Sequence, residues 1–171
     1  MPEVQQIRVP QGSFLDRFAQ QGGVYTDCFA VEIDADIAFA DYIEAFYTTP
    51  LFKAERMILG LLAKAPSKDD QAHLLGTGEI DEFAVWRVKE RAESQLLMKA
   101  IGRTSSWFMT VPFSPGRTRL MFGSVVVPEG YPKPGADKMG FGFSALLGLH
   151  KLYSRLLLAS AHKRLLCAQN P

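Results

Sequence analysis

Four consecutive runs rich in β-branched and aromatic residues, 82–91, 94–101, 104–113 and 118–127, dominate the middle of the chain. Only Ala92-Glu93, Gly102-Arg103 and Ser114-Pro115-Gly116-Arg117 separate them. Connections this short join neighbouring strands antiparallel, so the segment is predicted to form a meander. A meander needs cover for its apolar face. The sequence offers it in one long helix-periodic stretch, residues 143–167, about 35 Å long at 1.5 Å per residue. Projected at 100° per residue, Leu146, Leu149, Tyr153, Leu156, Leu157 and Ser160 share the side expected to be buried. Lys151, Arg155 and His162 share the other.

Ahead of the meander, residues 24–33 read as a strand with Tyr25, Phe29, Val31 and Ile33 on one face and Cys28, Ala30 and Glu32 on the other. Asp27 falls on the apolar face. Helices are expected over residues 36–47 and from Pro50 to about residue 64, the second capped by Thr49 with Pro50 in its first turn. Ser67-Lys68-Asp69-Asp70 resembles a capping box for a third, short helix ending at Leu75. Residues 1–23 form a lead-in, with turn chemistry at Val9-Pro10-Gln11-Gly12 and Ser13 as the cap of a short helix ending at Gly22-Gly23. Residues 128–137, holding three prolines and two glycines, read as loop. No repeat divides the chain, so residues 1–171 are expected to form one α+β domain. Its core is a curved antiparallel β-sheet wrapped around the long C-terminal helix, with two or three short helices after the first strand.

Several function classes fall away. With 19 basic and 18 acidic residues, the net charge of +1 supplies no field for gripping nucleic acid. Two cysteines make neither a disulfide framework nor a zinc or iron–sulfur site. His150 and His162 stand about 18 Å apart along one helix and cannot share a metal. Gly140-Phe141-Gly142-Phe143-Ser144 lacks both a Walker lysine and a Rossmann spacing, so no cofactor is expected. The apolar tract 140–161 is broken by His150, Lys151 and Arg155, which argues against a membrane span. Residues 1–9 carry Glu3, Gln5 and Gln6 and no apolar run, so a cytoplasmic location is expected.

The order of elements resembles the helix-grip arrangement of the START-like superfamily, which includes polyketide cyclases, aromatase/cyclases and plant carriers of hydrophobic ligands. Tyr25-Thr26-Asp27-Cys28-Phe29 is similar to the opening strand of a bacterial family of unknown function near that superfamily. Gly148-Leu149-His150-Lys151-Leu152, with Leu156-Leu157, is similar to that family's last helix, with Leu149 standing where the family has an aromatic residue. The resemblance implies a cavity between sheet and long helix that holds a small apolar or amphipathic molecule. Trp86, Met98, Trp107, Met109, Met121 and Phe122, with Leu149 and Tyr153, are able to line it; a filled core would use the same residues. Asp27, Arg103, His150, Tyr153 and Ser160 supply the polar groups. Asp27 is a candidate general base with Arg103, His150 and Tyr153 as donors, the pattern of a cyclase or dehydratase. The structural alternatives are an Asp27 ion pair with Arg103 or a helix start, and a local His150–Ser154 hydrogen bond. A third reading is a ligand-free interaction module or homodimer formed through Leu158, Leu165 and Leu166.

Overall fold

The computed structural model describes residues 3–63, 67–99, 103–127 and 141–169. In chain order its elements are β1 (Gln5–Gln6), α1 (Asp16–Ala19), β2 (Tyr25–Ile33), α2 (Phe39–Tyr47), α3 (Pro50–Ala63) and α4 (Asp70–Thr77). The meander follows as β3 (Glu82–Phe83), β4 (Trp86–Ala92), β5 (Gln95–Lys99), β6 (Thr104–Ser114) and β7 (Arg117–Val126), and α5 (Phe141–Gln169) ends the fold. All strands join one antiparallel sheet in the order β1-β2-β7-β6-β5-β4-β3. The expected meander is present, but its first run is split into β3 and β4 at Ala84, a non-glycine residue in the left-handed region at φ 52°. β2 closes the order by pairing with β7 along its whole length, from Tyr25 opposite Val126 to Ile33 opposite Thr118.

Helix boundaries follow local chemistry. The Thr49 hydroxyl accepts the Phe52 N–H at 3.2 Å and Pro50 opens α3, as the sequence predicts. The capping box at Ser67 does not form: α4 begins at Asp70, the Lys68 N–H donates to Gln71 Oε1 instead, and the Ser67 hydroxyl is left without a partner. Ser13 likewise caps nothing, and Asp16 takes the Gly12 N–H in the preceding turn. The proline- and glycine-rich stretch 128–137 lies outside the described residues, as does Gly140.

Both faces of the sheet are covered. On one, Phe29, Val31 and Ile33 of β2, Leu120 and Phe122 of β7, Phe108 of β6, Leu96 and Met98 of β5 and Trp86 of β4 share a core with α2 and α5. On the other, Cys28, Ala30, Leu97, Trp107, Met121 and Val125 pack against Leu15, with Ile7, Val9, Phe14 and Phe18 around it. The lead-in is therefore a second covering layer, and β1 extends the sheet beyond β2. Its docking needs Gly123: a Cβ there would stand 2.6 Å from both the Asp27 carbonyl oxygen and Leu15 Cδ2.

The orientation of α5 departs from the helical projection. Ser154, Leu157, Leu158, Ala161, His162 and Leu165 face inward, while Leu149, Leu152, Leu156 and Leu166 are exposed. Leucines ring this helix, so leucine density marks no single side, and the true buried stripe runs through a serine, an alanine and a histidine. His162, expected outside, donates from Nε2 to the Glu32 carbonyl at 3.1 Å. Leu158 and Leu165, offered as a dimer face, belong to the core. No helix among the described residues is long and apolar enough to cross a membrane.

Candidate functional site

Strand register sets out the site. Asp27, Ser124 and Ser106 stand side by side across β2, β7 and β6; two residues along, Phe29, Phe122 and Phe108 form the next row on the same face. A polar row thus adjoins an aromatic row beneath α5. Between this wall, α3 and α5 lies a cleft of about 290 Å³. One end is lined by Phe46, Tyr47, Phe52, Trp86, Phe108 and Phe122, and the other by Glu55, Ser106, Ser124, His150, Tyr153 and Ser154.

The polar end is organised around two carboxylates. Asp27, only 2% exposed, accepts the Ser124 backbone N–H at 3.0 Å through Oδ1 and the Tyr25 hydroxyl at 3.0 Å through Oδ2. Its Oδ2 lies 3.5 Å from His150 Nε2, which also sits 3.0 Å from Ser124 Oγ. Burial, reinforced by the Asp27 charge, pushes the Cys28 thiol up to about 12, so this cysteine stays an unreactive thiol. The same two causes raise the Tyr25 phenol. Glu55, projecting from α3, accepts a hydrogen bond from the Tyr153 hydroxyl. Burial raises the Glu55 carboxyl above its ordinary value, against the lowering influence of Tyr153 and His150. Ser154 Oγ, on a residue 1% exposed, has no hydrogen-bond partner.

Trp86, Phe122, His150 and Tyr153 line this one cleft, while Asp27 is buried behind His150 and does not line it. Met98 is on the same face but wholly buried, accepting the Tyr47 hydroxyl at its sulfur. Trp107, Met109 and Met121 are not part of the cleft: they point to the opposite face, against the lead-in. Alternation could not orient them because both faces of these strands are apolar. Leu149 is 64% exposed and Ser160 half-buried away from the cleft, both through the rotation of α5. Arg103 is exposed beside Phe18, Lys89 and Lys99 in a groove elsewhere, while Asp27 takes Tyr25, Ser124 and His150 as partners. His150 bonds across to Ser124 rather than along the helix to Ser154.

Sequence reasoning missed Glu55, Ser106 and Ser124. Counting two residues back from Phe108 and two forward from Phe122, as antiparallel pairing requires, would have found the two serines. An acid joins histidine and serine here, yet no nucleophile relay results. Asp27 and Ser124 both approach Nε2, whereas a relay needs the acid and the serine on different ring nitrogens. Among the described residues, no group of three histidine, cysteine or acidic side chains is placed to hold a metal ion.

No protein-family profile matches this chain, and no curated protein matches it. Among solved structures it is similar to the conserved protein of unknown function EF2215 from Enterococcus faecalis, at 15% identity and a TM-score of 0.38. That alignment covers 90% of this chain and 80% of the other.

Glu55 carries a stability consequence. A carboxyl whose folded pKa is raised stabilises the fold below its unfolded value and loses that contribution as pH rises through the folded value. Glu55→Gln does not titrate and retains an acceptor for Tyr153. Its melting temperature relative to the parent should therefore increase as pH rises from about 4, which paired melts across a pH series measure.

Proposed function

We propose that this protein binds a small amphipathic molecule in the cleft between the sheet and α5. The observation that carries the reading is the Ser154 hydroxyl, buried without a partner at the polar end of an aromatic-walled cleft. Buried hydroxyls are nearly always hydrogen-bonded, and a ligand's polar group would meet this one. A volume of about 290 Å³ sits at the lower edge of ligand pockets, about 300–1,000 Å³, which suits a compact molecule. The START-like resemblance supports the same location, since carriers and cyclases of that kind hold their ligands between sheet and last helix.

The test is native mass spectrometry of the purified protein beside a denatured sample, with titration of a neutral naphthalene dye. A released small molecule, or saturable one-to-one dye binding lost in Ser154→Leu while cooperative melting is kept, is the expected result. A bare polypeptide mass together with no dye binding overturns the reading.

One observation favours a second reading, acid–base catalysis in the same cleft: His150 reaches Asp27 at 3.5 Å and lines the cleft beside Tyr153. On that reading His150→Gln keeps binding but abolishes turnover of the bound molecule; unchanged turnover in the variant removes it.

A further inference from the structure

Resting on the reading of the cleft as a binding site, we infer that its ligand is an organic cation, an amine carried on an apolar body. The charged side chains at the polar end are Glu55, Asp27 and His150, two acids against one base. Asp27 lies behind His150, its Oδ2 3.5 Å from Nε2, so the one base of the site already faces an acid. Glu55 has no ion pair of its own: its hydrogen-bond partner is the neutral Tyr153 hydroxyl, and the one imidazole near it is in contact with Asp27. The cations on its own helix, Lys53 and Arg56, pair with Asp69 instead. Among the described residues, no lysine or arginine lines the cleft.

A carboxylate or phosphate ligand would therefore meet a half-buried like charge with no lysine or arginine to receive it. An ammonium group supplies what Glu55 lacks. The other end of the cleft strengthens the match. Tyr47, Phe52 and Trp86 pack with ring centroids 4.7–6.2 Å apart, and Phe108 and Phe122 add ring surface. Aromatic surface near a carboxylate attracts organic cations through the negative faces of the rings. The Ser154 hydroxyl is free to accept an N–H from the same group.

Three probes of one shape separate the possibilities: phenylpropylamine, phenylpropanol and phenylpropanoate, titrated by calorimetry at neutral pH. The amine is expected to bind roughly ten-fold tighter than the alcohol, and the carboxylate weakest. Glu55→Gln, checked by melting to be folded, is expected to bring amine and alcohol to equal affinity. Equal binding of all three probes, a carboxylate preference, or an amine preference unchanged in Glu55→Gln overturns the inference while leaving the cleft as a binding site. Failure of all three probes and of the neutral dye overturns the binding reading itself.

Discussion

Trp107→Ala is expected to remove about 3–5 kcal/mol of stability, a fall in melting temperature of about 6–20 °C, while leaving binding in the cleft unchanged. The indole is fully buried in the outer layer with Leu15, Leu97, Met121 and Val125. Its N–H donates at 3.1 Å to Gln95 Oε1, which also accepts the Phe14 backbone N–H at 3.1 Å. Truncation therefore opens a void and loosens the side chain that ties the lead-in to β5. Thermal and urea melts give the stability term, and dye titration the binding term. A variant as stable as the parent would show that the lead-in does not depend on this contact. A variant folded at the titration temperature but unable to bind would mean that the two faces of the sheet are coupled through β6.

The contrast between Trp107 and its neighbour Phe108 shows what the sequence could convey. Run lengths and breaks between strands specify an antiparallel meander, and Thr49-Pro50 specifies a helix start to the residue, because these depend on local chemistry. Which face points inward does not. A sheet with one wet face alternates polar and apolar residues, but here the lead-in covers the second face, so β6 reads Trp-Phe-Met with no polar contrast. The lead-in was legible as a turn and a short helix, which forms as α1, but not as a covering layer, since Ile7, Val9, Phe14, Leu15 and Phe18 show no sustained period. α5 failed for the same reason at helical spacing: leucine surrounds it, and the buried stripe is marked by Ser154, Ala161 and His162.

The site was legible to the extent that a single residue broke a pattern. Asp27 stood out on an apolar strand face, and it is indeed buried and fully engaged. His150 and Tyr153 were visible as polar interruptions of an apolar helix. Glu55 and Ser124 break no local pattern: a glutamate on a helix and a serine in a strand are ordinary. They matter only because β2–β7 register places Ser124 beside Asp27, and packing of α3 brings Glu55 to Tyr153. Such groups are products of tertiary structure, and here they supply one of the two carboxylates and part of the hydrogen-bonding capacity of the candidate site.

Phe46→Ala is expected to be as destabilising as the Trp107 truncation, by about 3–5 kcal/mol, but with the opposite consequence for binding. Phe46 sits at the junction of α2 with the sheet, with ring centroids 4.8–6.3 Å from those of Tyr42, Tyr47, Phe52, Phe108 and Phe122. It also lines the cleft, so the space left by its ring joins the existing volume rather than forming a sealed void. The added space is walled by aromatic rings and has the size to accept an aromatic molecule. Indole added to the variant should therefore recover part of the lost stability. Occupancy at about one hundred times the dissociation constant returns about 2.7 kcal/mol, whereas the parent, whose ring already fills the space, should gain less. Melting both proteins over a series of indole concentrations makes the comparison. A larger rise in the variant means that the aromatic end of the cleft is rigid enough to hold its shape when a wall residue is removed, the preorganisation that selective binding of a small ligand requires. Equal rises mean that the wall collapses around Phe46, and that the aromatic rings serve the core before they serve any ligand.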